Sequence, residues 1–227
     1  MRFNVIGPGK TGQYVQEHLK QEEIAHVFSS KNPPTLERVR EADASIIFVD
    51  GATMTDLIPL LLEAGKPVVT GSTAVQWPAD LDHLLRQQNV GWIRAANFSP
   101  MMNFFFYVTR KLAGARELLG SPEASVYEVH HVTKKDKPSG TALRLAHDLN
   151  WPNVEITADR KEDYAGIHRL TLENAREKLT VEHESRSRAM YAQGAVGAAR
   201  LLMGEPSWVG LIDYEELMYE KFDHITS

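Results

Sequence analysis

The sequence predicts an α/β protein: a parallel, doubly wound sheet at the N-terminus, then a second α+β domain on a mixed, largely open sheet. Three observations carry that reading. Up to Ser99, short apolar runs alternate with amphipathic helical stretches, the pattern of strands buried on both faces. A glycine-rich turn, Gly7-Pro8-Gly9-Lys10-Thr11-Gly12, joins the first run to the first helix. Beyond Asn97-Phe98-Ser99-Pro100 the apolar residues fall at alternate positions, as in strands with one covered face.

The runs Phe3 to Ile6, Ile24 to Phe28, Ser45 to Val49, Pro67 to Thr70 and Val90 to Ala95 read as buried parallel strands. Between them, Gln13 to Lys20, Thr53 to Ala64 and Ala79 to Gln88 space their apolar residues as helices do, and Gly65 stands at a C-cap position. Asn32-Pro33-Pro34 leaves room only for a short helix, Leu36 to Glu41, so the second crossover is abbreviated. A long apolar helix, Met101 to Leu119, and an alternating strand, Ala124 to Val132, follow. Two more alternating segments, Gly166 to Leu172 and Lys178 to Ser185, precede a small-residue helix, Ala189 to Leu202, suited to close packing. The expected division is residues 1–99 plus 189–227 as one domain and 100–188 as the other.

Hydrophobic residues make up 43% and charged residues 24% of the 227, which excludes disordered, collagen-like and coiled-coil classes. With 25 Lys+Arg against 30 Asp+Glu, the net charge of -5 argues against a general nucleic-acid or anionic-membrane binder. Any anion site must be built locally. The absence of cysteine excludes disulfide scaffolds, zinc knuckles, iron–sulfur clusters and thiol nucleophiles. Met1 runs straight into a strand without a charged-then-apolar leader pattern, and no apolar span is membrane-length, so a cytoplasmic location is expected.

A G-x-G-x-x-G turn between a strand and a helix cradles a dinucleotide pyrophosphate. Its first glycine makes the turn, the second lets backbone approach phosphate and the third allows close helix packing. The same segment mimics the end of a nucleoside-triphosphate loop, but Asn4 stands where that motif needs glycine. The end of the second strand, Val27-Phe28-Ser29-Ser30-Lys31, lacks the carboxylate that holds free ribose hydroxyls. Ser29, Ser30 and Lys31 offer two hydroxyls and a cation suited to a 2′-phosphate, so NADPH is favoured, with NADH the second carrier. A non-catalytic protein that binds NADP as a sensor remains one reading of this site.

The densest chemistry runs from Glu128 to Leu143. His130 and His131 end a strand, and on a regular strand they face opposite sides, so they are poor partners for one metal; no metal is expected. An imidazole there can donate a proton, with Lys134 brought alongside as a fixed cation. Pro138-Ser139-Gly140-Thr141 opens a helix whose N–H groups and hydroxyls form a carboxylate or phosphate pocket. With Lys134, Lys135 and Lys137 nearby, the implied substrate is a small dianion.

The segment His130 to Ala142 resembles the signature HHxxKxDxPSGTA of the 4-hydroxy-tetrahydrodipicolinate reductase (dihydrodipicolinate reductase) family, matching every fixed position. The likeness extends in order through the glycine loop, Thr70-Gly71-Ser72-Thr73, Ala96-Asn97-Phe98-Ser99, Arg160 with Gly166 and His168, Ser187-Arg188 and Tyr191 to Ala195. It implies hydride transfer from a reduced nicotinamide to a small cyclic dicarboxylate in lysine and diaminopimelate synthesis. His130 is then the proton donor and Lys134 its assistant, while His131, Ser139, Gly140 and Thr141 hold carboxylates. Gly7, Gly9, Lys10, Thr11 and Gly12 line the pyrophosphate; Gly71, Thr73, Ala96 and Phe98 approach the nicotinamide and its ribose. A homotetramer built through the second-domain sheet is implied as well. A related dehydrogenase of another imino or amino dicarboxylate shares these features and differs in pocket shape. The chain departs from the family at Gly51 and Ala52, at Ala74 where glycine is usual, and at Lys161 and Glu162 after Arg160.

Overall fold

A computed structural model describes residues 1–162 and 166–226. The chain forms two compact units, Met1–Ser99 with Arg188–Ile225, and Pro100–Ser187. The first unit begins with β1 (Phe3–Ile6), α1 (Lys10–His18), β2 (Ile24–Phe28), α2 (Leu36–Arg40), β3 (Ala44–Ile47), α3 (Gly51–Ala64), β4 (Val68–Thr70), α4 (Leu81–Gln87) and β5 (Gly91–Arg94). All five expected strands form. α2 has five residues, and Gly65 caps α3 in the left-handed conformation, φ 63°.

The second unit comprises α5 (Pro100–Leu112), β6 (Glu123–His130), α6 (Gly140–Leu149), β7 (Glu155–Arg160), β8 (Ile167–Glu173) and β9 (Lys178–Glu184). Its four strands lie in the order β7-β6-β8-β9; β7 runs parallel to β6, while β8 and β9 are antiparallel. β6, α6 and β7 thus make a crossover, and Ala142, Leu145 and Leu149 are the buried side chains of α6. β7 went unrecognised in the sequence because Ile156 and Ala158 are its only apolar residues, so alternation has little to show. The expected helix to Leu119 stops at Leu112 and tightens into a 3-10 turn, Ala113–Ala115, where Gly114 offers no side chain to pack.

The chain then returns to the first unit as α7 (Ala189–Gly204), β10 (Gly210–Asp213) and α8 (Tyr214–Thr226). β10 joins the edge of a six-stranded sheet ordered β10-β5-β4-β3-β1-β2, with every neighbouring pair parallel. Alternation inside the strands sends Phe3, Val5, Ile46 and Ile93 to one face, against Val15 of α1, Ala195 and Leu202 of α7 and Leu217 of α8. Ile6, Ile47 and Trp92 go to the other face, against Val39 of α2, Ile58 of α3 and Leu85 of α4. Helices cover both faces, and the carboxyl ends of the strands are left for loops. Among the described residues no helix is long and apolar enough to cross a membrane.

Candidate active site

In the first unit the glycine loop has the geometry its sequence calls for. Gly7 has φ 91°, a conformation that disfavours a Cβ, and a Cβ there would strike the Phe48 carbonyl. A Cβ at Gly12 would strike the Gly7 carbonyl, so this glycine sets how closely α1 approaches β1. Above Gly9, by contrast, nothing lies within 4 Å of a built Cβ. Gly9 is the N-cap of α1, makes no side-chain cap, and the first turn carries no acidic residue. Unpaired N–H groups at a positive helix end, with open space in front, fit a diphosphate.

Thr11, Gly71, Ala96 and Phe98 line one 130 Å³ cavity together with Phe48, Ala95 and Tyr191. Thr73 instead lines a neighbouring 270 Å³ cavity with Ala74, Trp77, Arg94 and Asp213. Ala74 takes φ 56°, the left-handed region that favours glycine, at a cost of about 1 kcal/mol for an alanine. The Thr73 and Ala74 carbonyls occupy the place a Cβ at Gly51 would take. The departures at Gly51 and Ala74 are therefore one packing arrangement: a side chain at residue 51 and this position of the turn exclude each other.

At the end of β2, Ser29 and Asn32 exchange backbone hydrogen bonds of 3.0 Å, so Ser29, Ser30 and Lys31 form a tight turn. Arg38 of α2 donates to Asn32 Oδ1 at 2.8 Å, and its guanidinium lies 4.9 Å from the Phe28 ring centroid. A second cation thus stands beside the turn. It was missed in the sequence because it belongs to the next helix.

In the second unit the motif condenses around a buried carboxylate. Glu128 and His130 sit two apart on β6, hence on one face, and Glu128 is 0% exposed. Glu128 Oε2 faces His130 Nδ1 within hydrogen-bonding reach. Glu128 Oε1 accepts from Arg160 Nη1 at 2.8 Å and from the Ser139 amide at 3.3 Å. Arg160 also donates to the carbonyls of Lys134 and Asp136, pinning the loop after the strand to β7. Lys134 Nζ pairs with Asp136 at 2.9 Å and holds that carboxyl below its ordinary range.

Ser139 caps α6, accepting from the Ala142 amide at 3.2 Å, with its Oγ 3.1 Å from His168 Nε2. It is 2% exposed, whereas Gly140 is exposed and Thr141 half-buried. His131 lies past the strand end, half-buried, with Nδ1 2.7 Å from Thr133 Oγ1. Ligand atoms of Glu128, His130 and His168 lie within 4.8 Å of one another, a spacing a metal also accepts. Arg160, Ser139 and His130 already occupy both Glu128 oxygens and Ser139 occupies His168 Nε2, so the group closes as a hydrogen-bonded network.

Burial lowers the pKa of His130, and the Glu128 hydrogen bond and charge oppose that effect. Burial, then the charges of His130, His183 and Lys134, push His168 from 6.5 to about 3. The unfolded chain therefore binds a proton near 6.5 that the folded chain refuses until about 3, so stability is full above 6.5 and falls as pH drops through this window. The expected loss from this group is about 1.4 kcal/mol per pH unit below its unfolded pKa. Urea unfolding between about pH 7 and pH 5 reads it, with His168→Gln giving a shallower decline. An unchanged slope in that variant would remove His168 from the account.

Sequence reasoning missed a role for Glu128, although its two-residue spacing from His130 was available as a signal. Arg160 and His168 were visible only through the family likeness, because nothing local ties them to β6; sheet register does, setting Arg160 opposite His130 and His168 opposite Glu128.

Residues 102–218 match the family model described as "Dihydrodipicolinate reductase, C-terminus". The 4-hydroxy-tetrahydrodipicolinate reductase of Christiangramia forsetii is 28% identical over 98% of this chain and 99% of its own length. That of Thermosipho africanus is 30% identical over 98% of this chain and 100% of its own. A solved structure of dipicolinate-bound dihydrodipicolinate reductase from a Paenisporosarcina species shares the fold, with a TM-score of 0.73 at 18% identity, covering 94% of this chain and 97% of that one. A glycine loop shaped for a diphosphate, a histidine–carboxylate pair behind the His130 to Ala142 motif, and a likeness that runs the length of the relatives have one explanation: the chain belongs to the dihydrodipicolinate reductase family.

Proposed function

We propose that this chain is the NAD(P)H-dependent oxidoreductase that reduces 4-hydroxy-tetrahydrodipicolinate (dihydrodipicolinate) to tetrahydrodipicolinate in lysine and diaminopimelate synthesis. The observation that supports it most is the buried Glu128–His130 pair with Lys134 beside it and the start of α6 facing outward. When bound, the reduced nicotinamide supplies a hydride to one carbon of the unsaturated ring. His130 gives a proton to the adjacent carbon, so the ring gains two hydrogens and two electrons; water is lost where the 4-hydroxy compound enters. Lys134 holds a carboxylate close to the donor and assists the proton transfer.

His131, Gly140 and Thr141 bind the carboxylates, Gly140 and Thr141 through N–H groups at the helix start, and Ser139 shapes that turn by capping it. Gly7, Gly9, Lys10, Thr11 and Gly12 hold the pyrophosphate; Gly71, Thr73, Ala96 and Phe98 face the nicotinamide and its ribose. Met1–Ser99 with the returning segment is the dinucleotide-binding domain, and Pro100–Ser187 the substrate-binding and assembly domain. The enzyme works in the cytoplasm as a homotetramer, joined through the second-unit sheet.

The direct test is NADPH oxidation with the freshly formed product of dihydrodipicolinate synthase beside a panel of other imino acids. Substrate-dependent oxidation is expected. Cofactor binding without turnover of that product would replace this reading with a related dehydrogenase or a sensor. Ser29, Ser30 and Lys31, with Arg38 beside them, favour NADPH over NADH. Replacing both Lys31 and Arg38 by alanine is expected to weaken NADPH binding by roughly tenfold or more and to spare NADH. Equal losses for the two cofactors, measured by titration, would remove the phosphate argument.

A further inference from the structure

Of the two nitrogens of His130, one must carry the proton to substrate, and the surroundings of the ring distinguish them. Nδ1 faces Glu128 Oε2. Nε2 points the other way, over the backbone of Gly166, where a built Cβ would lie 2.9 Å from it. Among the described residues, the hydrogen bond of this ring runs through Nδ1. Any side chain at Gly166 would fill the space in front of Nε2, and its φ of 153° also suits glycine.

Glu128 is equally constrained. Both groups that approach Oε1, the Arg160 guanidinium and the Ser139 amide, are obligatory donors. Oε1 can only accept, and the carboxylate cannot rotate without breaking both bonds, which leaves Oε2 permanently aimed at Nδ1. An ionised carboxylate accepts only, so Nδ1 must carry hydrogen in every protonation state of the ring.

We infer that Glu128 is the positioning residue of the reaction: held by Arg160 and Ser139, it fixes the proton of neutral His130 on Nδ1 and so makes Nε2 the nitrogen that delivers the proton over Gly166. This rests on the proposed reductase activity. The step balances: the imidazolium gives its Nε2 proton to the substrate carbon beside the one that receives hydride. It is left as the neutral Nδ1–H ring, and Nε2 regains a proton from solvent before the next cycle. The charged and titratable groups facing the ring are Glu128 of β6, Arg160 of β7, His168 of β8, whose ring centroid lies 4.9 Å away, and Lys134 of the following loop.

Glu128→Gln is the informative change because its geometry is predictable. The amide oxygen must keep the Oε1 position facing Arg160 and Ser139, so the amide NH2 takes the Oε2 position and donates to Nδ1. The neutral ring is forced into the opposite tautomer. Nitrogen-15 NMR of the full chain, with His130→Gln identifying the signal, is expected to show Nδ1 protonated in neutral His130 of the wild type and Nε2 protonated in Glu128→Gln. Turnover in Glu128→Gln is expected to fall by roughly 10- to 10³-fold with the KM for NADPH unchanged. The alkaline limb of kcat/KM should move down by about one pH unit or more, since a carboxylate no longer favours the imidazolium. Glu128→Asp, which keeps the charge but draws it back, should recover part of the pH profile.

Neutral wild-type His130 protonated on Nε2 would overturn the inference, and this measurement does not depend on Glu128→Gln folding. So would a Glu128→Gln enzyme with unaltered turnover and pH profile. Wild-type protein that shows the Nδ1 tautomer but never oxidises NADPH with the pathway compound would sink the proposed function and support the tautomer assignment.

Discussion

His130→Ala is expected to lower turnover by roughly 10²–10⁴-fold while leaving NADPH affinity unchanged, the signature of a lost transition-state interaction. The side chain sits at the end of β6, 9% exposed, with one nitrogen tied to Glu128, so little else can take over its role at the same place. Lys134→Ala is expected to raise KM for substrate as well as slow chemistry, because a cation beside a carboxylate acts in ground and transition states alike. The two act on one protonation event, so the double variant should lose less than the product of the single losses. Steady-state kinetics on folded, NADPH-binding variants decides the matter. Near-normal turnover in His130→Ala would show that water or another group supplies the proton.

The largest stability effect is expected at Arg160. Arg160→Ala leaves Glu128, 0% exposed, without its guanidinium partner, and breaking a buried pair from one side costs about 3–5 kcal/mol. The same change frees the Lys134 and Asp136 carbonyls, so the loop that presents Lys134 loses its tie to β7 and substrate KM rises. Arg160→Lys should recover only part of either loss, because an ammonium cannot reproduce the planar fork that serves Glu128 and the Lys134, Asp136 and Asp159 carbonyls at once. Urea unfolding measures the first effect. A loss below about 1 kcal/mol would place this pair with exposed salt bridges, which contribute little.

The local elements were legible wherever a residue's neighbours in sequence are also its neighbours in space. β1 to β5 announced themselves as apolar runs, α2 was short because Pro33 and Pro34 precede it, and the glycines of the first turn stand where backbone approaches backbone. β7, β10 and α8 were not legible. β7 and β10 each carry two apolar side chains and gain their place from pairing with β6 and β5, a contact that no window of sequence contains. α8 is an amphipathic helix that only its packing against the first core makes necessary.

The sequence by itself determined the alternation of β1 to β5 with their helices, the phosphate-shaped turn and the motif from His130 to Ala142, because period, glycine placement and capping are properties of adjacent residues. It also determined that Glu128 and His130 share a face. Only the tertiary structure decided what that face does. Sheet register carries Arg160 from β7 and His168 and Gly166 from the β8 region onto His130, and the cap of α6 turns the Ser139 amide back onto Glu128. A buried carboxylate is tolerated only with its partners in place, and those partners come from up to 32 residues away, brought together by hydrogen bonds between strands.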